Sequence, residues 1–299
     1  MKKWIAILTL AAMIAACASC GSAKQQTLKV GIMPDFDSIP FAVAAIQGYL
    51  PENIELELFM SPMDRDSALY AGALDGTISD ILSVCLLREG GYDAVITSKT
   101  DGCYGVLTAE EIADARGLEG LDIGMSLNTV IEYVTYRIIE EAGGDADSSE
   151  RVSVPKIPSR LEMLFAGQID AIAVPEPYVS AARERGAHVV ATSADLGINP
   201  GIMLFMREAA DEKTDEIKAL YAAYNKAVEY IGAHEAGEYL PAVIEYLGLP
   251  PEALGAALPA YTAAEPPARA EIEAVGEWLV MKRLIGSAYS YDELVLEIK

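Results

Sequence analysis

Carboxylates and hydroxyls gather at five places in this chain of 299 residues, each at the end of a run that reads as a strand. Asp35, Phe36, Asp37 and Ser38 follow LKVGIM, and Ser61, Met63 and Asp64 follow IELELFM. Ser79 and Asp80 end GTISD, Ser126, Asn128 and Thr129 lie at and after the end of LDIGMS, and Glu176 with Tyr178 follow DAIAVP. Carboxylates suit amino groups or ring N–H donors, and Phe36, Tyr104 or Tyr178 can stack on a flat ring. The nearby cations are only Arg65 and Arg160. An anion buried beside unpaired carboxylates costs several kcal/mol. Each residue also has a plainer role open to it. Thr129 can cap a helix, Asp64 can favour its own helix dipole, and Asp35 and Asp37 can shape a turn. The sequence holds no Ser/His/Asp set, Gly-rich phosphate loop or zinc motif. Its two histidines, His188 and His234, have no nearby Cys and no regular acidic spacing. No cofactor, no metal and no catalytic residue is expected.

The elements that must position these groups alternate. Strands are expected at 28–33, 54–60, 76–79, 93–98, 121–126, 187–193 and 202–206, with a further strand in DAIAVPEP. Helices are expected after Pro40 to about Gly48, in DRDSALYAG, ILSVCLLREGG and NTVIEYVTYRIIEEAGG, and from Ser159 to Gly167. Thr129-x-x-Glu132 and Ser159-x-x-Glu162 have the spacing of capping boxes. From about residue 208 the pattern is helical, with breaks near 250 and 266. Strands alternating with helices imply parallel pairing and an α/β sheet covered on both faces. One phrase recurs: LYAGALDG at 69–76 and LFAGQIDA at 164–171. In each, a helix ends at Ala-Gly, the glycine supplies a left-handed cap, and an aliphatic-Asp pair turns into a strand. Two α/β units of similar construction follow, with ligand expected at the carboxyl ends of their strands.

Net charge is −23, and −25 (20 − 45) without Lys2 and Lys3. That argues against nucleic acid and against docking on anionic lipid. Met1-Lys2-Lys3 and the apolar run 4–16 read as a signal peptide, too short for a membrane span. Ile14-Ala15-Ala16-Cys17 resembles the lipobox of bacterial lipoproteins, which implies lipidation of Cys17, with Cys20 the weaker candidate. Residues 17–26 then form a lipidated tether, and the rest is expected to be soluble and extracytoplasmic. Cys85 and Cys103 read as buried free thiols, with pairing the alternative.

LKVGIMPDFDSIPFAVAAIQGYL, MDRDSALYAGALDGTISD and LEMLFAGQIDAIAVPEP, in that order, resemble the NMT1/THI5-like family of substrate-binding proteins over about residues 27–207. The family serves nitrate, sulfonate, taurine and thiamine-pyrimidine ABC importers. The resemblance implies an α/β, type II periplasmic-binding-protein fold, two α/β lobes joined by two crossovers with ligand between them. Lobe I would be 27–102 plus 202–299 and lobe II 103–201, with hinges at Asp101-Gly102 and Pro200-Gly201. The implied partners are a small-molecule ligand, an ABC permease and its ATPase, for a monomer held to the membrane by its N-terminal lipid. The family's sulfonate and nitrate binders hold an anion at a helix N-terminus, and Ser126, Asn128 and Thr129 could do so here. The excess of carboxylates favours instead an aminopyrimidine or related nitrogen heterocycle. A thiamine-pyrimidine synthase of this fold is the enzymatic alternative, but its cysteine cluster and essential histidine find no match. A receptor that presents its ligand to a sensor is the other.

Overall fold

The computed structural model describes residues 26–298. Cys17, the signal peptide and most of the tether lie outside them. Ten strands form two five-stranded sheets. The first sheet contains β1 (Leu28–Ile32), β2 (Ile54–Leu58), β3 (Gly76–Asp80), β4 (Ala94–Lys99) and β10 (Gly201–Met206), in the order β2-β1-β3-β10-β4. The second contains β5 (Tyr104–Thr108), β6 (Asp122–Met125), β7 (Glu150–Ser153), β8 (Ala171–Pro175) and β9 (His188–Thr192), in the order β7-β6-β8-β5-β9. The central strands β3 and β8 are buried at every position, while β7 and β9 at the edges are half exposed. β8, AIAVP, is accordingly a continuous apolar run, whereas β3, GTISD, is buried with polar residues in it.

Pairing is mixed, a departure from the all-parallel expectation. β1 runs parallel to β2 and β3, and β6 parallel to β7 and β8. β10 is antiparallel to β3 and β4, and β5 is antiparallel to β8 and β9. The reason is connectivity. β5 and β10 are the first strands after the chain passes from one sheet to the other, so each enters its new sheet from the opposite end. The passing segments bond to one another: Thr100 N donates to Gly201 O at 3.0 Å, and Ser193 N donates to Tyr104 O at 2.7 Å.

The repeated phrase forms the same turn twice. Helices Pro62–Tyr70 and Ile157–Phe165 end before Gly72 and Gly167, whose φ values of 70° and 66° are left-handed. Asp75 then accepts from Lys29 N at 2.8 Å, and Asp170 accepts from Asp122 N at 3.0 Å. Each aspartate thereby secures the start of the neighbouring strand.

Neither expected capping box forms. Thr129 Oγ1 donates to Ser126 O, and Glu132 accepts from Asn128 N at 2.7 Å, one residue earlier than the box requires. Ser159 lies within the helix, which starts at Ile157.

The C-terminal residues brace both sheets. Helix Arg269–Met281 packs on helix Ile81–Glu89 and also meets helix Val130–Glu141. Trp278 there makes edge contacts with Tyr133 and Tyr136, at 5.5 and 5.9 Å between ring centroids. One apolar cluster accordingly runs from Leu82 and Ile96 of the first unit to Val106 and Val134 of the second. On the other flank, Pro251–Gly255 rests on helix Tyr178–Glu184. Among the described residues, no helix is long and apolar enough to cross a membrane.

Candidate functional site

The carboxyl ends of β1, β3, β6 and β8 converge on a cavity of about 40 Å³ between the two units. Asp35, Asp37, Ser79, Asp80, Tyr104, Ser126 and Thr129 line it, as expected sites brought together by the fold. Met63 and Asn128 line an adjoining groove instead. The remaining expected residues turn elsewhere. Phe36 is buried in the core of the first unit, so it offers no stacking face. Ser38 lies beneath Asp35, donating from Oγ to Asp35 Oδ1 at 3.2 Å. Ser61 and Asp64 cap their own helix: Asp64 N donates to Ser61 Oγ, and Ser61 Oγ donates to Asp64 Oδ2 at 2.8 Å. Glu176 accepts from both the N–H and the hydroxyl of Ser180, at 3.1 and 3.0 Å. Tyr178 is buried in the core of the second unit.

The wall from the first unit is acidic but not fully charged. Burial, with Asp37 adding to it, raises the Asp35 pKa to about 8. At neutral pH this carboxyl is mostly protonated and can donate as well as accept. Burial also raises Asp37. Its Oδ2 accepts from Tyr104 Oη at 2.9 Å, and hydrogen bonds from the Thr100 hydroxyl and the Gly102 N–H also favour its charged form. Burial raises Asp80 too, against the pull of Arg65. Burial works against the charge of Arg65, but Asp66 and Asp80 outweigh it, and the guanidinium is held more firmly protonated. Arg65 pairs with Asp66 at 2.8 Å.

The wall from the second unit is cationic. Arg160 is fully buried and donates to Val154 O and Ala173 O at 2.7 Å each, to Pro155 O at 3.2 Å, and to Ser126 Oγ. These partners are neutral. Burial pulls its pKa down to about 9, which leaves it charged at neutral pH. Beside it, Thr129 stands at the N-terminus of helix Val130–Glu141, where backbone N–H groups favour negative charge.

Contacts between the walls hold them together. Asp80 caps helix Ile81–Glu89 by accepting from Ser83 N at 2.7 Å, and its other oxygen accepts from Val130 N at 3.0 Å in the opposite unit. One carboxylate therefore serves the positive ends of two helices. Phe36 N donates to Glu176 O at 3.0 Å, and the Tyr104–Asp37 bond also joins the units. At the crossovers, Asp101 accepts from the Thr262 N–H and hydroxyl, and Pro200 O accepts from Ile81 N. Gly102 has a steric reason: a Cβ there would lie 2.0 Å from Asp37 Oδ2. A Cβ on Gly201 would lie 2.6 Å from Thr100 Oγ1.

Arg65 and Arg160 line the cavity and were noted from sequence only as neighbouring cations. A signal for them existed. They are 95 residues apart (160 − 65 = 95), the offset of the repeated phrase, each seven residues before its cap glycine. Each donates from Nη1 to the carbonyl 13 residues on, Ile78 O at 3.0 Å and Ala173 O at 2.7 Å. Among the described residues, no cluster of three His, Cys, Asp or Glu is placed to hold a metal. Cys85 and Cys103 are free thiols.

The NMT1-like family model matches residues 21–245. A putative ABC transporter periplasmic binding protein of Brachyspira hyodysenteriae is 25% identical over 268 residues, 78% of this chain and 76% of that protein. The alkanesulfonate-binding protein SsuA of Xanthomonas axonopodis pv. citri, solved with MOPS, superposes with a TM-score of 0.79 at 18% identity, covering 92% of this chain and all of that one. The desulfurization enzyme DSZB superposes at 0.67 with 15% identity, covering 91% and 96%. The fold is thus that of the periplasmic binding proteins, and proteins with this architecture include an enzyme.

Proposed function

The chain belongs to the NMT1-like family, and from that premise we propose that it is the solute-binding component of an ABC import system. The solute sits between the two units and is delivered to the permease and its ATPase. Residues 27–102 with 202–299 act as lobe I and 103–201 as lobe II. Asp101-Gly102 and Pro200-Gly201 are the segments that turn as the lobes open. Cys17 carries the lipid that holds a monomeric receptor outside the cell.

One observation carries the reading: a cavity between the two units whose two walls differ in chemistry. Lobe I supplies Asp35 and Asp37. Lobe II supplies Arg160, Ser126 and Thr129. A solute that donates N–H groups to lobe I and presents an acceptor to lobe II satisfies both. Aminopyrimidines and related nitrogen heterocycles have that character, and so does an aminosulfonate. Nitrate answers only lobe II. A plain sulfonate is the second reading, favoured by an Arg160 that has no carboxylate partner among its hydrogen bonds. The site binds its solute and releases it to the permease.

Thermal shift ranks these classes. A ligand at 100 times its Kd stabilises the folded state by about 2.7 kcal/mol, a shift of roughly 5–10 °C for a protein of this size. Aminopyrimidines or aminosulfonates are expected to give it, with nitrate far behind. Nitrate as the strongest binder would overturn the two-wall reading. Turnover of any tested solute would overturn the assignment as a receptor.

A further inference from the structure

Away from the cleft, a second cavity lies against the crossover between β9 and β10. It measures about 210 Å³ and shares no lining residue with the inner cavity. Three elements form it: helix Val130–Glu141 of the second unit, residues 197–200 of the crossover, and helix Arg269–Met281, which packs on the first unit. Its lining is mostly apolar, with Ile198, Pro200, Ala274 and Val275 among it. Two charged side chains of opposite sign complete it, and neither has an ion-pair partner among the described residues. Arg137 donates from Nη1 to Tyr133 Oη at 3.2 Å, which leaves the tyrosine hydroxyl its own proton to donate. Glu271 accepts through Oε1 from Asn199 N at 2.7 Å. Asn199 Nδ2 in turn donates to Thr100 O in the other crossover.

We propose that this cavity is a second binding site, separate from the cleft, for a small zwitterion with an apolar side chain, the class of the apolar α-amino acids. The carboxylate lies against Arg137 and the Tyr133 hydroxyl, the ammonium against Glu271, and the side chain against Ala274 and Val275. The two charges select this class. A simple anion has Glu271 as a like-charged neighbour, and a simple cation has Arg137. A zwitterion meets an opposite charge at each end, through charge-assisted hydrogen bonds. Size agrees: an apolar cavity of about 150 Å³ holds benzene, so 210 Å³ takes a molecule of the size of leucine. An occupant also steadies the crossovers, because Glu271, Asn199 and Thr100 are joined in series. It binds this arrangement of them better than a turned one and so favours it. On the receptor reading above, that makes it a brake on the motion of the lobes.

Calorimetry on the folded extracytoplasmic chain tests this with L-leucine and two analogues that each lack one pole, 3-methylbutylamine and 4-methylpentanoate. Leucine is expected to bind, and each analogue at least about tenfold more weakly, for the loss of a charge-assisted hydrogen bond. Arg137→Met should bring leucine down to the level of the amine. Glu271→Gln, which keeps an acceptor for Asn199 N, should bring it down to the level of the acid. Ala274→Trp, which fills the space, should abolish binding. Melting curves verify that each variant is folded. Bound leucine should also slow amide hydrogen exchange at Asn199 and Gly201, and unchanged exchange there would overturn the hold on the crossovers. Failure of both leucine and phenylalanine to bind overturns the site, as does an analogue that binds as tightly as leucine. Leucine binding that Arg160→Met abolishes and Arg137→Met leaves intact belongs to the cleft and overturns the second site too. Each of these outcomes leaves the receptor reading standing, and loss of the receptor reading leaves leucine binding here as expected, since the two cavities share no residue.

Discussion

Arg65 and Arg160 do the same backbone work in the two halves and live in opposite electrostatic surroundings. Each ends its helix's contact with the sheet by donating to a strand carbonyl. Arg65 has Asp66 at 2.8 Å and feels Asp80 and Asp35. Arg160 has Leu161 where Arg65 has Asp66, and among the described residues only neutral oxygens accept from it. The difference shows how a repeated scaffold acquires polarity. A buried cation without a carboxylate remains available to a ligand, whereas a paired one has already given up most of its pull. The second unit thus faces the cavity as a cation and the first as an acid.

The largest effect that sharpens this contrast is on binding. Arg160→Met should weaken an anionic-headed probe such as taurine by about a hundredfold, since hydrogen bonds to charged groups contribute about 1.5–3 kcal/mol. Arg65→Met should cost about tenfold or less. Calorimetry on both variants, with melting curves to verify folding, measures the ratio. Equal losses would erase the distinction between the walls.

Next comes pH. In the folded protein Asp35 titrates near pH 8, against 3.8 for an ordinary aspartate. Between those values the folded state keeps a proton that the unfolded chain has released. Stability therefore falls as pH rises from about 4 to 8, and levels off above. Asp35→Asn should flatten that slope, with Asp37 and Asp80, which burial also raises, keeping part of it, and should leave the variant about 1–3 kcal/mol more stable than wild type at pH 8 and little changed at pH 4.5. Arg160→Met should not alter the slope in this window, because Arg160 loses its proton only near pH 9. Melting temperatures across the range decide it, and identical slopes in wild type and Asp35→Asn would remove the acidic character of lobe I.

A smaller effect concerns the contact between the walls. Asp80→Asn removes the charge that serves two helix ends and should cost about 1 kcal/mol. Without ligand, the variant should show a larger radius of gyration in solution scattering than wild type. An unchanged curve would mean that Asp80 does not hold the lobes together.

The smallest is Glu176→Gln. Its carboxylate is committed to Ser180, so binding should change by less than about twofold, with a stability loss of about 0.5–1 kcal/mol from the weakened turn. A tenfold loss of affinity would return Glu176 to the site.

Much of the architecture was legible. Gly72 and Gly167 marked the repeated turns, because their left-handed backbone is one that glycine adopts without strain. The strands with strong apolar runs were found within a residue or two of their ends. β5, β7 and helix Tyr178–Glu184 were not assigned, since they are short and lie among Gly, Pro and polar residues. The antiparallel entry of β5 and β10 was also invisible, because periodicity reports burial and carries no strand direction.

The site was legible as a set of loops and less so as a set of side chains. The strand-end rule placed Asp35, Asp37, Ser79, Asp80, Ser126 and Thr129 around one cavity. It also named Phe36 and Tyr178, which the fold buries in cores, because an aromatic at a strand end reads the same whether it faces solvent or not. Counting carboxylates against cations overstated the acidity of the cavity. That count took no account of the protonation of Asp35, the pairing of Arg65 or the isolation of Arg160.

Sequence alone determined the two-unit α/β construction, the caps that end the repeated helices and the loops that face the cleft. These depend on local backbone preference and on periodic burial, and both are written in short windows of the chain. Tertiary structure decided the charge each wall presents, which of two equivalent arginines stays unpaired, and that Asp80 spans both units. Such properties depend on distance and desolvation between residues as far apart as Asp80 and Val130, or Arg160 and Ser126, and no local pattern encodes them.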